Sequence, residues 1–224
     1  SVTKLGKGAF RNCESLEAMD LTDTGITVID ENTFDGTKSM VTLCLPGNLL
    51  TIGKRAFYGT GAQELDIPAS VTVIGDSAFE NAAALKTITF APDSMMETLG
   101  SEETNSRIFK GTTSLDMVIL PNILQTIGNE VFAGSGVKEV KMTDNSVPSE
   151  LRFIGDGAFA DCVNMTSFEH LSKVTNIGDA AFMNCVNLTS APVGDGLDYL
   201  GAMAFAFCYQ LDSVRIPASV TELG

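Results

Sequence analysis

The chain has 224 residues, of which 44% are hydrophobic, and its 28 acidic and 14 basic side chains give a formal net charge of −14. This composition is typical of a folded globular protein and excludes the disordered class. The acidic excess argues against nucleic acid as a partner, because phosphate attraction needs clustered Lys and Arg, and the lack of an apolar run of about 18 residues argues against direct membrane insertion.

A repeat runs along the whole chain and is anchored by phenylalanines spaced 22 to 30 residues apart. The nine anchors are Phe10, Phe34, Phe57, Phe79, Phe109, Phe132, Phe159, Phe182 and Phe205. An aliphatic residue usually lies five positions before the anchor and is often followed by Gly. Such self-similarity is typical of solenoids, in which each repeat buries the apolar side of the next. We therefore predict a single solenoid over residues 1–224, with about nine repeats of about 23 residues and truncated repeats at both ends.

An apolar triplet of the form LxxLxL follows most anchors and predicts a short strand, because residues two apart on a strand face the same way. In chain order, the outward positions of these strands are Ala18 and Asp20, Thr42 and Cys44, Glu64 and Asp66, Thr87 and Thr89, Met117 and Ile119, Glu139 and Lys141, Ser167 and Glu169, Ser190 and Pro192, and Ser213 and Arg215. The aliphatic residues before each Phe predict a second series of shorter strands. The fold class is therefore a mostly β solenoid, with parallel strands stacked in two sheets.

The stretch around each Phe has no long helical pattern, which predicts turns or a single helical turn. The Gly after the aliphatic residue suits either a positive φ or a close approach of two backbones. Two insertions interrupt the repeat, near residues 91–107 and 143–150, and Leu99 and Gly100 fit the pattern only if residues 101–105 are an insertion. Insertions in solenoids map to loops and sometimes to a binding face. A tolerated surface insertion without a function agrees equally well with the pattern, because lengthening a loop costs little.

The repeat unit is clearest in residues 151–168 and 174–193, which carry the segments IGDGAFADCVNMTS and IGDAAFMNCVNLTS. This unit resembles the leucine-rich repeat of BspA-like surface proteins, and the likeness covers nearly the whole chain. The resemblance implies a right-handed leucine-rich repeat solenoid on a secreted or cell-anchored microbial protein. It also implies a role in adhesion, including attachment to host extracellular-matrix proteins and to other cells.

Few residues could carry catalysis. His170 is the only His, and it lies at an apolar position of its unit, where a packed imidazole is the ordinary interpretation. A Ser or Cys nucleophile needs a base within hydrogen-bond reach, and the repeat places Cys162 on a different side of the coil from His170. The motifs of nucleotide, hydrolase and metal sites are missing from the sequence. We predict that the chain is not an enzyme and takes no cofactor or metal.

Four cysteines share one repeat position, three residues after the anchor: Cys13, Cys162, Cys185 and Cys208. Other repeats have Ala, Thr or Ser at this position, which predicts a small buried side chain. A disulfide between neighbours such as Cys162 and Cys185 is the alternative. A zinc site is not indicated, because the sequence has no CxxC pair and no second His to complete four ligands. The fifth cysteine, Cys44, lies on a predicted strand and faces outward.

The outward strand positions are the predicted contact surface, because solenoids present an extended face. The candidate binding residues are Glu64, Asp66, Met117, Ile119, Glu139, Lys141, Glu169 and Arg215. Met117 and Ile119 are the most suggestive, although isolated exposed apolar residues are ordinary. The resulting hypothesis is a monomeric, non-catalytic, extracellular adhesion module that binds a host or cell-surface protein of the extracellular-matrix type. The alternative hypothesis is a rigid spacer that presents a neighbouring functional domain.

Overall fold

The computed structural model describes residues 2–168, 171–191 and 193–224, and in these ranges the chain forms short strands and turns without a helix. Numbered in chain order, the strands that follow a Phe turn are β1 (Ala18–Asp20), β3 (Thr42–Cys44), β5 (Glu64–Ile67), β7 (Thr87–Phe90), β9 (Met117–Leu120), β11 (Glu139–Met142) and β13 (Ser167–Phe168). The second series has two residues per strand: β2 (Val28–Ile29), β4 (Thr51–Ile52), β6 (Val73–Ile74), β8 (Thr98–Leu99), β10 (Thr126–Ile127), β12 (Phe153–Ile154), β14 (Asn176–Ile177), β15 (Tyr199–Leu200) and β16 (Glu222–Leu223). We call the outward surfaces of these two series the long-strand face and the short-strand face.

All strand pairs are parallel, and they follow the register of the repeat, as in Val118 opposite Val140 and Ile127 opposite Ile154. The long strands form one sheet of β1 and β3 and another from β5 to β13, while the short strands form one sheet from β2 to β6 and another from β8 to β16. The prediction of two stacked series of parallel strands is therefore confirmed. Each series is interrupted once, between β3 and β5 and between β6 and β8.

The nine anchor rings form a continuous column in the core. Successive ring centroids lie 5.1–5.4 Å apart, with interplanar angles of 2–13°. The seven rings from Phe34 to Phe182 are at most 1% exposed, and Phe10 and Phe205 are partly buried. Each coil thus supplies one ring that packs against the rings of its two neighbours, which is the arrangement that the repeat predicts.

Turns, not helical turns, hold the rings in place. In a typical turn the N–H groups of Arg55, Phe57 and Gly59 donate to the carbonyls of Asp76, Ala78 and Glu80 in the next coil, at 2.8–3.0 Å. This alternation requires a left-handed residue two positions before and two positions after the ring. The first set is Gly8, Asn32, Arg55, Ser77, Arg107, Glu130, Gly157, Ala180 and Met203, and the second is Asn12, Gly36, Gly59, Asn81, Gly111, Gly134, Asp161, Asn184 and Phe207.

The Gly that follows the aliphatic residue is required by close packing between coils. A Cβ on Gly178 would lie 2.7 Å from the Asp156 amide nitrogen, and a Cβ on Gly53 would lie 2.9 Å from the Ile29 carbonyl oxygen. Neither glycine has a positive φ. Of the two reasons considered from the sequence, the close backbone approach is therefore the correct one at these positions.

The long-strand series ends earlier than the sequence pattern predicts. Among the described residues, no strand forms at Ser190 or over residues 213–216, and Val214 and Ile216 are 41% and 43% exposed instead of buried. A parallel strand is stabilised by the ladder on its neighbours, and Pro192 has no N–H to donate to such a ladder. Glu169, His170 and Pro192 themselves lie outside the described residues.

The two insertions have different structures. In the first, Thr98 and Leu99 form β8 and pair with β10, and the chain then leaves the repeat through residues 101–105, as the position of Leu99 and Gly100 in the pattern indicates. In the second, the Asn122 side chain organises the loop, since its amide donates to the carbonyls of Asp144 and Val147 at 2.8 Å and its oxygen accepts the Asp144 N–H at 2.9 Å. Both insertions leave the Phe column continuous.

Candidate binding face

The long-strand face presents two parallel rows of outward side chains. Strand pairing aligns Glu64, Thr87, Met117, Glu139 and Ser167 in the first row. The second row aligns Asp66, Thr89, Ile119 and Lys141. Because the strands alternate buried and accessible residues, these side chains point away from the core.

Met117 and Ile119 form an apolar pair at the centre of this face. Their side chains are half-buried between neighbouring strands, whereas Glu139 and Lys141 on the adjacent strand are exposed. The Lys141 ammonium lies 2.8 Å from the Glu139 carboxylate, so this flank carries one ion pair with little net charge. The arrangement offers apolar contact at the centre and polar contact at one side, as the cores and rims of protein interfaces do.

The opposite flank is acidic. Glu64 and Asp66 on β5 are exposed, and Thr87 and Thr89 on β7 separate them from Met117 and Ile119. The structure therefore places six of the predicted residues on one face, in the order acidic, polar, apolar and ion-paired.

A groove of about 430 Å³ borders the acidic flank, near the interruption between β3 and β5. Its lining includes Leu43, Leu45, Ile67 and Pro68, with Cys44 at the surface. Sequence reasoning missed this groove because its apolar residues are inward members of the repeat. The sequence signal near it is Ala62, which replaces the larger Leu or Met found at the start of most triplets.

Arg215 does not belong to this face. Its segment forms no strand, its side chain is almost fully exposed, and its guanidinium lies 3.9 Å from the Asp195 carboxylate. The prediction that Arg215 extends the strand rows is wrong for the reason given above for residues 213–216. Glu169 would follow Lys141 in the second row by sequence, but it lies outside the described residues.

Of the four cysteines at the shared repeat position, two are buried thiols, whereas Cys208 is half-buried and Cys13 is exposed, contrary to the prediction of a buried side chain. Cys162 and Cys185 are buried, and their Sγ atoms donate to the carbonyl oxygens of Phe132 and Phe159 in the preceding coil at 3.2 Å. Burial raises the pKa of Cys162 to about 12 and also raises that of Cys185, so both thiols stay protonated near neutral pH. All five cysteines are free thiols, so the buried-thiol interpretation holds for this pair and the disulfide alternative does not.

Two further properties of the molecule bear on its class. No group of three or more metal-ligating side chains occurs within residues 2–168, 171–191 and 193–224. Over the same described ranges, no helix is long and apolar enough to cross a membrane. His170 lies outside these ranges, so its predicted packing stays a prediction.

The stacked parallel strands, the aromatic column and the repeated turns define a leucine-rich repeat β-solenoid. The sequence model of the BspA type leucine rich repeat region matches the chain in six copies, over residues 3–135 and 102–224. The chain therefore belongs to the BspA-type leucine-rich repeat family. No curated protein matches the sequence.

Solved structures of bacterial leucine-rich repeat proteins are similar to the chain. A leucine-rich repeat protein from Bacteroides ovatus is 26% identical, with a TM-score of 0.53 over 96% of this chain and 64% of that protein. The pneumococcal vaccine antigen PcpA is 23% identical, with a TM-score of 0.61 over 88% of this chain and 50% of that protein. The chain thus spans less than two thirds of each, and the likeness to PcpA concerns the fold alone. Solenoids of this class generally act as binding or structural scaffolds and not as enzymes.

Proposed function

We propose that the chain is a non-catalytic, extracellular binding module that attaches to a host or cell-surface protein of the extracellular-matrix type through its long-strand face. The family supports a surface or secreted location, since the resemblance to BspA-like proteins implies one. The observation that carries the choice of face is the apolar pair Met117 and Ile119, set between the acidic flank of Glu64 and Asp66 and the ion pair of Glu139 and Lys141.

The physical argument is that of an interface with an anchored centre. Half-buried apolar side chains in a rigid sheet lose little conformational entropy on binding, so their contact area contributes directly to affinity. The charged flanks select partners and their orientation more than they add affinity. A protein surface with an apolar centre and a basic edge, facing Glu64 and Asp66, fits this pattern best.

The proposal is tested by measuring binding of the purified chain to a panel of immobilised extracellular-matrix proteins. The double variant Met117→Glu with Ile119→Glu should weaken binding at least about tenfold, because two central contacts are lost. The matched control is Val28→Glu with Leu50→Glu, which adds the same charge at exposed positions in β2 and directly before β4. Equal loss in both variants would show a charge effect and contradict the choice of face.

A rigid spacer is the second candidate function, and the continuous aromatic column favours it. Nine rings in contact at 5.1–5.4 Å give the coil few places to bend. If the spacer role is correct, removing three whole repeats from the full protein should shorten its reach and leave binding unchanged. Lost binding in that variant argues for the binding module.

A further inference from the structure

The short-strand ladder is interrupted at one step, between β6 and β8. At the steps on either side, the glycine that follows the aliphatic residue donates its N–H to the preceding coil. Gly75 donates to the Ile52 carbonyl and Gly128 to the Leu99 carbonyl, both at 2.8 Å. Among the backbone hydrogen bonds of the described residues, none joins residues 72–75 to residues 97–100. At the other steps, the equivalent carbonyls and N–H groups pair with each other. Here the Thr72 and Ile74 carbonyls face this step without a backbone partner, as do the Thr98 and Gly100 N–H groups.

The two coils stay in contact on their other sides. The Phe79 N–H donates to the Ile108 carbonyl at 2.9 Å, the rings of Phe79 and Phe109 are 5.3 Å apart, and β7 pairs with β9. The opening is therefore confined to the short-strand face. It coincides with the insertion at residues 101–105, where Gly100 has a φ of +84° and the Ser101 N–H donates to the Ser106 hydroxyl at 2.6 Å.

A cleft of about 390 Å³ results, lined by Lys54 and residues 72–76 on one side and by Thr98, Gly100 and Ser101 on the other. The cleft reaches the edge of the core, since Ile74 is 8% exposed whereas Ile52 and Ile127 are 0% exposed. An occupant would therefore meet backbone polar groups on both walls and an aliphatic side chain at the floor.

The open groups identify the chemistry of the occupant. The β6 wall offers the carbonyl acceptors of Thr72 and Ile74, and the β8 wall offers the N–H donors of Thr98 and Gly100. A parallel peptide strand has donors on one side and acceptors on the other at the same spacing, as β4, β10, β12 and β14 show. We propose that the cleft binds an extended peptide segment of a partner protein, which runs parallel to β6 and β8 and completes the ladder.

The floor of the cleft also sets a preference for the peptide sequence. The inward residue of the peptide would pack against Ile74 and Leu99, and therefore it should be aliphatic, as in every other short strand. The next residue should be Gly, because neighbouring coils approach too closely for a Cβ at that position. This site lies on the short-strand face and does not depend on binding through Met117 and Ile119.

The probe is a fluorescent synthetic peptide that copies residues 122–130 of this chain, which include β10, with a scrambled peptide as its control. In the free protein, the Thr98 and Gly100 amides should exchange with solvent quickly in hydrogen-exchange NMR, unlike the paired amides of Thr51 and Gly53. Saturating peptide should slow the exchange of Thr98 and Gly100 and leave Thr51 and Gly53 unchanged. The scrambled peptide should have no effect.

A pair of matched variants locates the binding. Val73→Trp places a large ring beside the cleft, at a position that is 52% exposed. It should weaken binding of the copied peptide at least about tenfold. Val28→Trp makes the same change at the equivalent, 43% exposed position of β2 and should leave affinity unchanged. Slow exchange of the Thr98 and Gly100 amides in the free protein would overturn the proposal, as would a failure of the copied peptide to bind. A loss of peptide affinity in Val28→Trp but not in Val73→Trp would also overturn it.

Discussion

At the scale of single residues, the anchor phenylalanine and the residue three positions after it shape the core of each coil. The ring packs against the rings of neighbouring coils, and in several coils the small residue hydrogen-bonds to a Phe carbonyl. Thr37 bonds to the carbonyl of Phe34 in its own coil at 2.8 Å, and Cys185 to that of Phe159 in the preceding coil at 3.2 Å. Hydroxyl and thiol thus satisfy the same kind of acceptor, which explains why Thr and Cys share this position.

The first prediction concerns the ring column. Phe182 is 0% exposed, so Phe182→Ala should lower the free energy of unfolding by about 3–5 kcal/mol in urea titrations. Phe205→Ala is the control and should cost less, because that ring is only partly buried. A loss for Phe182→Ala below about 1 kcal/mol would contradict the role of the column.

Thiol reactivity should follow burial. At pH 8, iodoacetamide should modify Cys13 and Cys44 in the folded protein, and Cys162 and Cys185 only after denaturation, because the raised pKa values keep the buried pair protonated. Peptide mass spectrometry measures the extent at each site. Rapid labelling of Cys162 in the folded state would show that the core opens there.

Phe207 is a strained residue in a repeat position that elsewhere holds Gly, Asn or Asp. It has a φ of +63° and is 56% exposed. Asn tolerates this conformation better than residues with an ordinary Cβ. Phe207→Asn should therefore be more stable than Phe207→Ala by roughly 1 kcal/mol in thermal or urea unfolding. Both variants remove the contact with Tyr209, so their difference isolates the backbone effect, and equal stabilities would contradict it.

At the scale of elements, each turn is tied to its neighbours by backbone bonds and by side chains that cross between coils. The Asn129, Asp156 and Asp179 side chains each accept an N–H from the following coil at 2.8 Å. On the Phe-turn side, Glu130 accepts hydrogen bonds from Arg107 and Lys110 of the preceding coil, at 3.0 and 2.5 Å. These contacts stabilise the stack because they join residues that are adjacent only after the chain has coiled.

The Glu130 cluster predicts a pH effect on stability. Burial alone raises the pKa of Glu130, but the hydrogen bonds from Lys110 and Arg107 outweigh it, and the pKa lies below its ordinary value of 4.5. A lowered folded-state pKa contributes stability above the unfolded pKa that is lost as the pH falls through the folded value. Urea unfolding at pH 6 and at pH values below about 4.5 should therefore show a smaller acid-induced loss for Glu130→Gln than for the unaltered protein. An equal acid-induced loss of unfolding free energy in both proteins would show that the Glu130 carboxylate does not contribute to the pH dependence of stability.

At the scale of the whole molecule, the solenoid is modular, because each coil contacts chiefly the coils beside it. Ile154 and Ile177 are paired residues in adjacent coils. Deleting residues 155–177 therefore joins equivalent positions and should give a folded protein that melts cooperatively at a lower temperature. Deleting only residues 155–166 breaks the register and should abolish the cooperative melt. Circular dichroism measures both, and a folded half-repeat deletion would contradict the modular description.

The sequence predicted much of the fold and of the candidate face. The Phe column, the two strand series and the outward positions of Met117, Ile119, Glu139 and Lys141 follow from side-chain type at a fixed spacing. The position of Arg215 was wrong, and the groove beside Cys44 and the cleft between β6 and β8 were missed. Those features depend on whether one coil hydrogen-bonds to the next, which the pattern within a single repeat does not report.

Residue types and their period are enough to establish a stacked coil with a phenylalanine interior, because burial of one apolar side per repeat has few other solutions. Only the tertiary structure determines where the strand ladders stop, at which glycines a neighbouring backbone leaves no room for a Cβ, and which thiols lie in the core. Gly75, Gly100 and Gly128 occupy the same place in the repeat and are indistinguishable by pattern. The ladder nevertheless continues at Gly75 and Gly128 and is open at Gly100, because hydrogen bonding depends on how adjacent coils meet.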